Sequence, residues 1–249
     1  MLRPMRVKLY ALSASHPVAA VEAALQLKGI EYQRIDLLPI VPVLVGPLRY
    51  GGTTVPGLRI DGERLVGSRA IMHRLEELVP EPPLLPAAPS QSRAEVLEAE
   101  RWGDEVFQSI PRRIIDVAFL RRPAAMESYA GKLPVPIALL RPGMPLTARL
   151  MARKNRASDE AARADFAALP GHLEKIDAWI SDGLLGGEHP NAADLQIGST
   201  IRLLLTIGDV RPLITGRSAA ELARYFPPQK GEVPPGVLPA GWLPAPVEL

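Results

Sequence analysis

The chain contains no cysteine. That absence excludes a disulfide framework and any thiolate metal site. It also excludes thiol–disulfide exchange through a protein thiol, so any sulfur chemistry must use a sulfur carried by a ligand. Charge of one sign is lacking too, the net value being +2. No Lys/Arg run is long enough to suggest a nucleic-acid patch. The pairs Arg112-Arg113 and Arg121-Arg122 read as solvated helix surface. His73 has Glu76 and Glu77 nearby but no second His or Cys ligand, so no metal is expected. Long apolar runs are missing as well. The most apolar stretch, Leu37 to Leu48, is too short to span a bilayer and contains Pro39, Pro42 and Pro47. The N-terminus shows no apolar stretch of signal-peptide length. These absences together predict a soluble, cytoplasmic chain.

What is present is 249 residues, 47% hydrophobic, with 27 prolines. Val7 to Leu12 is an apolar run that reads as a first strand. Ser13-Ala14-Ser15-His16-Pro17 follows as a loop, and Pro17 suits the first turn of a helix. Val18, Val21 and Leu25 mark that helix's buried face, and Gly29 ends it. Tyr32 to Leu37 is a second strand, completing a βαβ unit. Residues 38–54 read as less regular. Thr54 to Ile60 is a third strand, Asp61-Gly62 a tight turn, and Arg64-Leu65-Val66 the return strand. Gly67-Ser68 opens a helix whose buried face is Ile71, Leu75 and Leu78, stopped by Pro80.

The boundaries predicted are a first domain at 1–82, a linker at 83–90, an all-helical domain at 91–226 and a Pro-rich tail at 227–249. In the helical part Val96, Ala99, Val106 and Ile110 fit one helix face. Phe166, Leu169, Leu173, Ile176 and Ile180 fit a second, which Pro170 is expected to kink or restart. Ile197, Ile201 and Leu204 fit a third. Segment 131–147 reads as partly helical, and the tail as irregular.

The order βαβ–ββα, linker, helices resembles the glutathione S-transferase family, a thioredoxin-like domain followed by a helical one. Four local motifs carry the resemblance. Thr54-Val55-Pro56-Gly57-Leu58 is similar to the family's third-strand start. There the Val-Pro bond is cis, and the backbone of the residue at Val55 would pair with the cysteinyl unit of glutathione. Gly67-Ser68-Arg69-Ala70-Ile71 resembles the motif whose Ser holds the γ-glutamyl carboxylate at a helix N-terminus. Alternatively Ser68 is only an N-cap. Gly67 stands where the family often has an acid or amide, so its contact to the ligand's amine is weaker or comes from elsewhere. Asn191-Ala192-Ala193-Asp194 resembles a helix-opening box of structural role, Asn191 being the N-cap and Asp194 its N3 partner. Counting back from Gly29, Ser15 falls at the family's serine-type catalytic position. A hydroxyl there would donate to a bound thiolate and lower the thiol's pKa. Ser13 is the nearest competitor, and an N-cap with no ligand the bland alternative. Tyr10 is off by one from the tyrosine-type position. His16 would orient a thiolate, act as base, or simply sit at the surface.

The resemblance thus implies a glutathione transferase-like enzyme. Ser15 would be catalytic, and Val55, Pro56, Gly67, Ser68, His16 and Arg49 would bind glutathione as co-substrate. Arg49 is the one charge in segment 38–50, where the family usually has a more polar loop and short helix that contact the glycine carboxylate. Either Arg49 does that job or the ligand is a similar small thiol. Alternatively the apolar loop joins a dimer interface. The co-reactant would be a small-molecule electrophile of apolar character, and a homodimer is expected. Trp102, Phe107, Ile110 and segment 133–147 are candidate linings of the electrophile pocket, although core packing explains the aromatics equally well. The alternative is a non-catalytic ligand-binding or interaction protein on the same fold. No nucleic acid is expected. Membrane attachment through 131–154, which mixes apolar residues with Lys132, Arg141, Arg149, Arg153 and Lys154, is not expected either, because its prolines break a long amphipathic helix.

Overall fold

The computed structural model describes residues 5–87, 90–131 and 136–243. The chain's first four residues, two linker residues (88–89), Lys132 with its neighbours to 135, and the tail from 244 lie outside them. Strands β1 (Val7–Ala11), β2 (Gln33–Asp36), β3 (Gly57–Ile60) and β4 (Glu63–Val66) form one sheet in the order β2-β1-β3-β4. β1 and β2 are parallel, and the other two pairings are antiparallel. Helix α1 (His16–Leu27) is the crossover, its Val18, Val21 and Leu25 buried and Pro17 in its first turn. Gly29 follows at φ 63°, a conformation glycine adopts without Cβ strain. The turn between β3 and β4 has both central residues at positive φ, Asp61 at 48° and Gly62 at 103°. That is the twist a two-residue hairpin loop requires.

Segment 38–54, read from sequence as less regular, contains helix α2 (Val41–Arg49). Pro42 sits in its first turn, where the missing N–H costs nothing. Tyr50, just past its end, is fully buried and lies 4.9 Å from the Tyr10 ring, over Gly57. A Cβ at Gly57 would come within 2.2 Å of the Tyr50 ring, so glycine is what admits that ring to the sheet. Helix α3 (Ser68–Leu78) buries Ile71, Met72 and Leu75, while Leu78 is left at the surface.

After the linker come α4 (Gln91–Trp102), a π-helical turn (Gly103–Phe107) and α5 (Ser109–Arg121). Then follow α6 (Ile137–Leu140), α7 (Met144–Asn155), α8 (Asp159–Ser181) and α9 (Ala192–Leu204). The π turn corrects the expected α4 face. It inserts a residue into the α-helical period, so Phe107 is buried in place of Val106, which is exposed. α8 runs through Pro170 without ending. The Asn191–Asp194 capping box is present, and Asp194 also accepts from the Gly186 N–H at 2.8 Å. α9, almost wholly buried, is the central post and packs on α1, α4 and residues 218–225.

Arg112 and Arg113 are half-buried rather than solvated, and Arg113 forms a two-pronged pair with Asp165. The tail is irregular but anchored. Val233 pairs with Ile207, Asp209 accepts from the Gly236 and Leu238 N–H groups, and Trp242 lies under the Arg121 and Arg163 guanidinium groups.

Candidate active site

The register of the sheet gathers the candidate residues on one edge. β1 and β2 both run toward that edge and end at Ala11 and Asp36. β3 runs the other way, so it begins there, with Tyr10 opposite Gly57 and Gly57 opposite Val66. The Gly67 N–H donates to the Pro56 carbonyl at 3.0 Å, tying the start of β3 to the end of β4. Three features therefore meet: the N-terminus of α1 with Ser15 and His16, the Val55–Pro56 bond, and the N-terminus of α3 with Gly67 and Ser68. The Val55–Pro56 bond is cis. Neither the N–H nor the carbonyl of Val55 is hydrogen-bonded among the described residues.

Ser15 is the N-cap residue of α1 by position, but its hydroxyl does not cap the helix. The simple capping role is therefore absent, and the half-buried hydroxyl sits where the first-turn N–H groups and the helix dipole favour an anion. Ser13 is exposed, and Gly131 of the helical domain lies directly against its hydroxyl. A Cβ at Gly131 would fall 2.0 Å from the Ser13 Oγ.

Ser68 is not the N-cap of α3. That position is Gly67, at φ 91° and ψ 142°, a backbone open to glycine. Ser68 is the first helical residue. It is only 1% exposed, and its Oγ has no hydrogen-bond partner. A buried hydroxyl left unpaired costs about 1–3 kcal/mol. Arg49 lies in the last turn of α2 and is exposed, outside the group that the strand register gathers.

His16 is not a surface residue. It is 3% exposed and is enclosed by the helical domain, against Gln108 and Arg112. Burial, then the Arg112 charge, pushes its pKa well below the usual 6.5, opposed by a hydrogen bond with the Gln108 backbone. The ring is neutral at pH 7, so it supplies neither a cation for a thiolate nor a strong base. Its Nε2 is buried without a partner, as are the Gln108 Oε1 and the Asp116 Oδ1. The π turn is the signal that sequence reasoning missed here. It presents Asp104, which accepts from the Gln108 Nε2 at 2.7 Å.

Burial raises the Asp116 pKa to about 7, against the opposing hydrogen bond from Asn155 and the charges of Arg112 and Lys154. Asp116 and His16 act oppositely on stability. Folded Asp116 holds an extra proton between about pH 4 and 7, so its burial penalty grows as pH rises through that window. Folded His16 resists protonation, so its penalty grows as pH falls below about 6.5. The two slopes run in opposite directions below about pH 6.5. In an Asp116→Asn variant the carboxyl term is gone. Its stability relative to wild type is expected to improve from pH 4 to pH 8 by on the order of 4 kcal/mol at most, the three-unit shift at 1.36 kcal/mol per unit. Urea denaturation at the two pH values measures this, and a pH-independent difference would refute it.

Trp102 and Phe107, expected as possible pocket linings, stack on each other at 5.2 Å. With His172 and Trp179 around Trp102 they form an aromatic core of the helical domain. Ile110 is buried as well. His73 pairs with Glu100 at 2.7 Å, and no group of potential metal ligands is found among the described residues. A groove of about 450 Å³ lies elsewhere, lined in part by Arg202, Arg211 and Arg224. Each of those arginines already donates to a backbone carbonyl.

Residues 9–83 match the family model for the glutathione S-transferase N-terminal domain, under a third of the chain. Solved structures share the architecture over most of their length. A glutathione S-transferase from Rhodospirillum rubrum F11 aligns with a TM-score of 0.53 at 23% identity, covering 86% of this chain and 89% of that one. The beta-etherase LigF from Sphingobium sp. strain SYK-6 gives 0.57 at 22%, covering 80% and 84%. A maleylacetoacetate isomerase from Anaeromyxobacter dehalogenans 2CP-1, solved with glutathione in its active site, gives 0.52 at 22%, covering 94% and 100%. A sequence search of curated proteins finds no match. The fold is thus that of the glutathione S-transferases, a thioredoxin-like sheet domain followed by a helical one.

Proposed function

We propose, from that shared fold, that this chain is a glutathione transferase-like enzyme that activates the glutathione thiol for attack on an apolar electrophile. The observation that carries the reading is the buried, unpartnered Ser68 hydroxyl at the N-terminus of α3, beside the free backbone groups of Val55. Together they form a polar edge with unused donors and acceptors. An extended peptide would pair with Val55 as one more strand. Its γ-glutamyl carboxylate would take the Ser68 hydroxyl and the first N–H groups of α3. The thiol would then lie toward α1, where Ser15 donates to the thiolate. The helix dipole favours the same charge. Catalysis would come from a lowered thiol pKa and from holding two reactants close.

The chain itself offers no thiol, so the sulfur would be the ligand's, glutathione's or that of a similar small thiol. Neutral His16 packs the α1 terminus against the helical domain, which makes it a positioning residue. Gly67 brings no side chain to the ligand's amine, and that contact is left to backbone or solvent. The proposed working form is a cytoplasmic homodimer.

Calorimetric titration tests the reading. Glutathione is expected to bind wild type at micromolar to millimolar concentration, and Ser68→Ala to weaken it about tenfold, the worth of one hydrogen bond to a charged group. No heat at millimolar glutathione would overturn the proposal. Binding with no conjugation of chlorodinitrobenzene would favour the non-catalytic alternative.

A further inference from the structure

Seven of the ten exposed large apolar side chains among the described residues come from two short segments. They are Ile40, Val43, Leu44 and Leu48 around α2, and Leu139, Leu146 and Leu150 on α6 and α7. Leu44, Leu48 and Leu139 are each more than 70% exposed. The two segments also share a charge signature. Residues 37–60 and 128–158 contain no Asp or Glu, although the chain has 27. Their exposed charges are basic: Arg49 on α2, and Arg149, Arg153, Lys154 and Arg156 on and after α7. Among the described residues Arg49, Arg149 and Arg153 form no ion pair, whereas Arg141 is paired with Glu127.

α7 is divided cleanly. Met144, Ala148 and Ala152 are its buried face, and α7 packs on α5. Leu146 and Leu150, with Arg149 and Arg153, lie on the other side at helical spacing. The prolines do not break this helix. Pro142 opens the preceding 3-10 turn and Pro145 stands in the first turn of α7, both tolerated positions. At its far end Lys154 Nζ meets the Thr53 carbonyl at 3.4 Å, which places α7 beside the loop that follows α2.

We infer that α2 and α7 together form a docking face for an anionic lipid surface, the leucines entering the headgroup boundary and the arginines meeting lipid phosphates. Leucine beside arginine, with acids excluded, is the composition such interfaces need. A second copy is a poorer occupant, because apposing this face to itself sets Arg49, Arg149 and Arg153 against one another. The attachment is interfacial, since no helix among the described residues is long and apolar enough to cross a membrane. The face adjoins the Thr53–Pro56 loop, so an apolar compound dissolved in the lipid would meet the protein next to the candidate site. The inference does not depend on the proposed reaction.

Co-sedimentation with vesicles of phosphatidylcholine alone, or with 30% phosphatidylglycerol, tests it on the full chain. Binding is expected to the anionic vesicles and to fall at least tenfold when salt rises from 50 to 500 mM, roughly as for several surface Lys/Arg contacts. Two double variants, Leu44→Asp with Leu48→Asp, and Arg149→Gln with Arg153→Gln, are each expected to lower binding by about tenfold or more. Their thermal melts should match wild type, because all four side chains are exposed. Protein left in the supernatant at low salt would overturn the inference. So would vesicle binding unaffected in both folded variants, or a dimer in light scattering that the leucine variant dissociates.

Discussion

Replacing Lys28 by alanine is expected to destabilise the protein by about 3–5 kcal/mol, the cost of leaving a buried charge without its partner. The Lys28 side chain is fully buried at the C-terminal end of α1. Its Nζ lies 2.6 Å from Glu76, and it donates to the Val79 carbonyl at 2.6 Å and the Pro82 carbonyl at 2.9 Å. Glu76 in turn accepts from the Leu84 and Leu85 N–H groups at 2.9 and 3.2 Å. The Leu84 carbonyl accepts from the Ala192 N–H at the start of α9. One ammonium group thus joins α1, the end of α3, the linker and the central helix. Alanine would leave a carboxylate and two carbonyls buried without their donor. At roughly 2–4 °C per kcal/mol for a chain of this size, the melting temperature should fall by about 10 °C. A fall of under about 3 °C would show that water replaces the ammonium at little cost. The variant's glutathione affinity, measured below its melting temperature, should change little.

Ser15→Ala carries the largest expected effect on activity, a loss of about 100-fold in kcat/KM, typical of removing one donor from a developing or resident anion. The hydroxyl does not cap α1, and a cap would in any case use its oxygen as acceptor, so its proton is free to donate. Alanine removes the donor and leaves the helix start in place. Glutathione binding should therefore change far less than the rate, since Ser68 and Val55 would hold the rest of the peptide. The parallel change Ser13→Ala should cost little, because that hydroxyl is turned against Gly131. If Ser13→Ala inactivates and Ser15→Ala does not, the roles are exchanged.

The architecture was legible because its signals are local and strong. Asp61-Gly62 between two apolar runs specified the hairpin, and the Asn191–Asp194 box specified the start of α9. The edge that holds Ser15, Val55 and Ser68 followed from the βαβ–ββα order. What escaped depends on tertiary context. The α2 segment has Pro39 before it and Pro42 and Pro47 within it and still forms a helix: Pro42 occupies a first-turn position, while Pro47 stands in the interior. The π turn at 103–107 shifts the buried register from Val106 to Phe107, and no composition cue announces one extra residue in a turn. His16 read equally as surface or site, and it is buried because the helical domain folds back over it. Gly67, not Ser68, takes the N-cap position of α3, and only the backbone angles distinguish the two. Arg112 shows the same limit: a paired arginine in sequence is half-buried between Asp104 and Asp116 once α5 is packed.

The central claim is that this sheet edge holds another molecule's sulfur as its anion. Its most direct measurement is a pH titration of bound glutathione by thiolate absorbance, on wild type and Ser15→Ala. The bound thiol's pKa is expected to lie about 1–2 units below the free value in wild type, for one charge-assisted hydrogen bond plus the helix dipole. In Ser15→Ala it should return most of the way. A bound thiol that titrates as it does in free solution in both proteins would contradict the account.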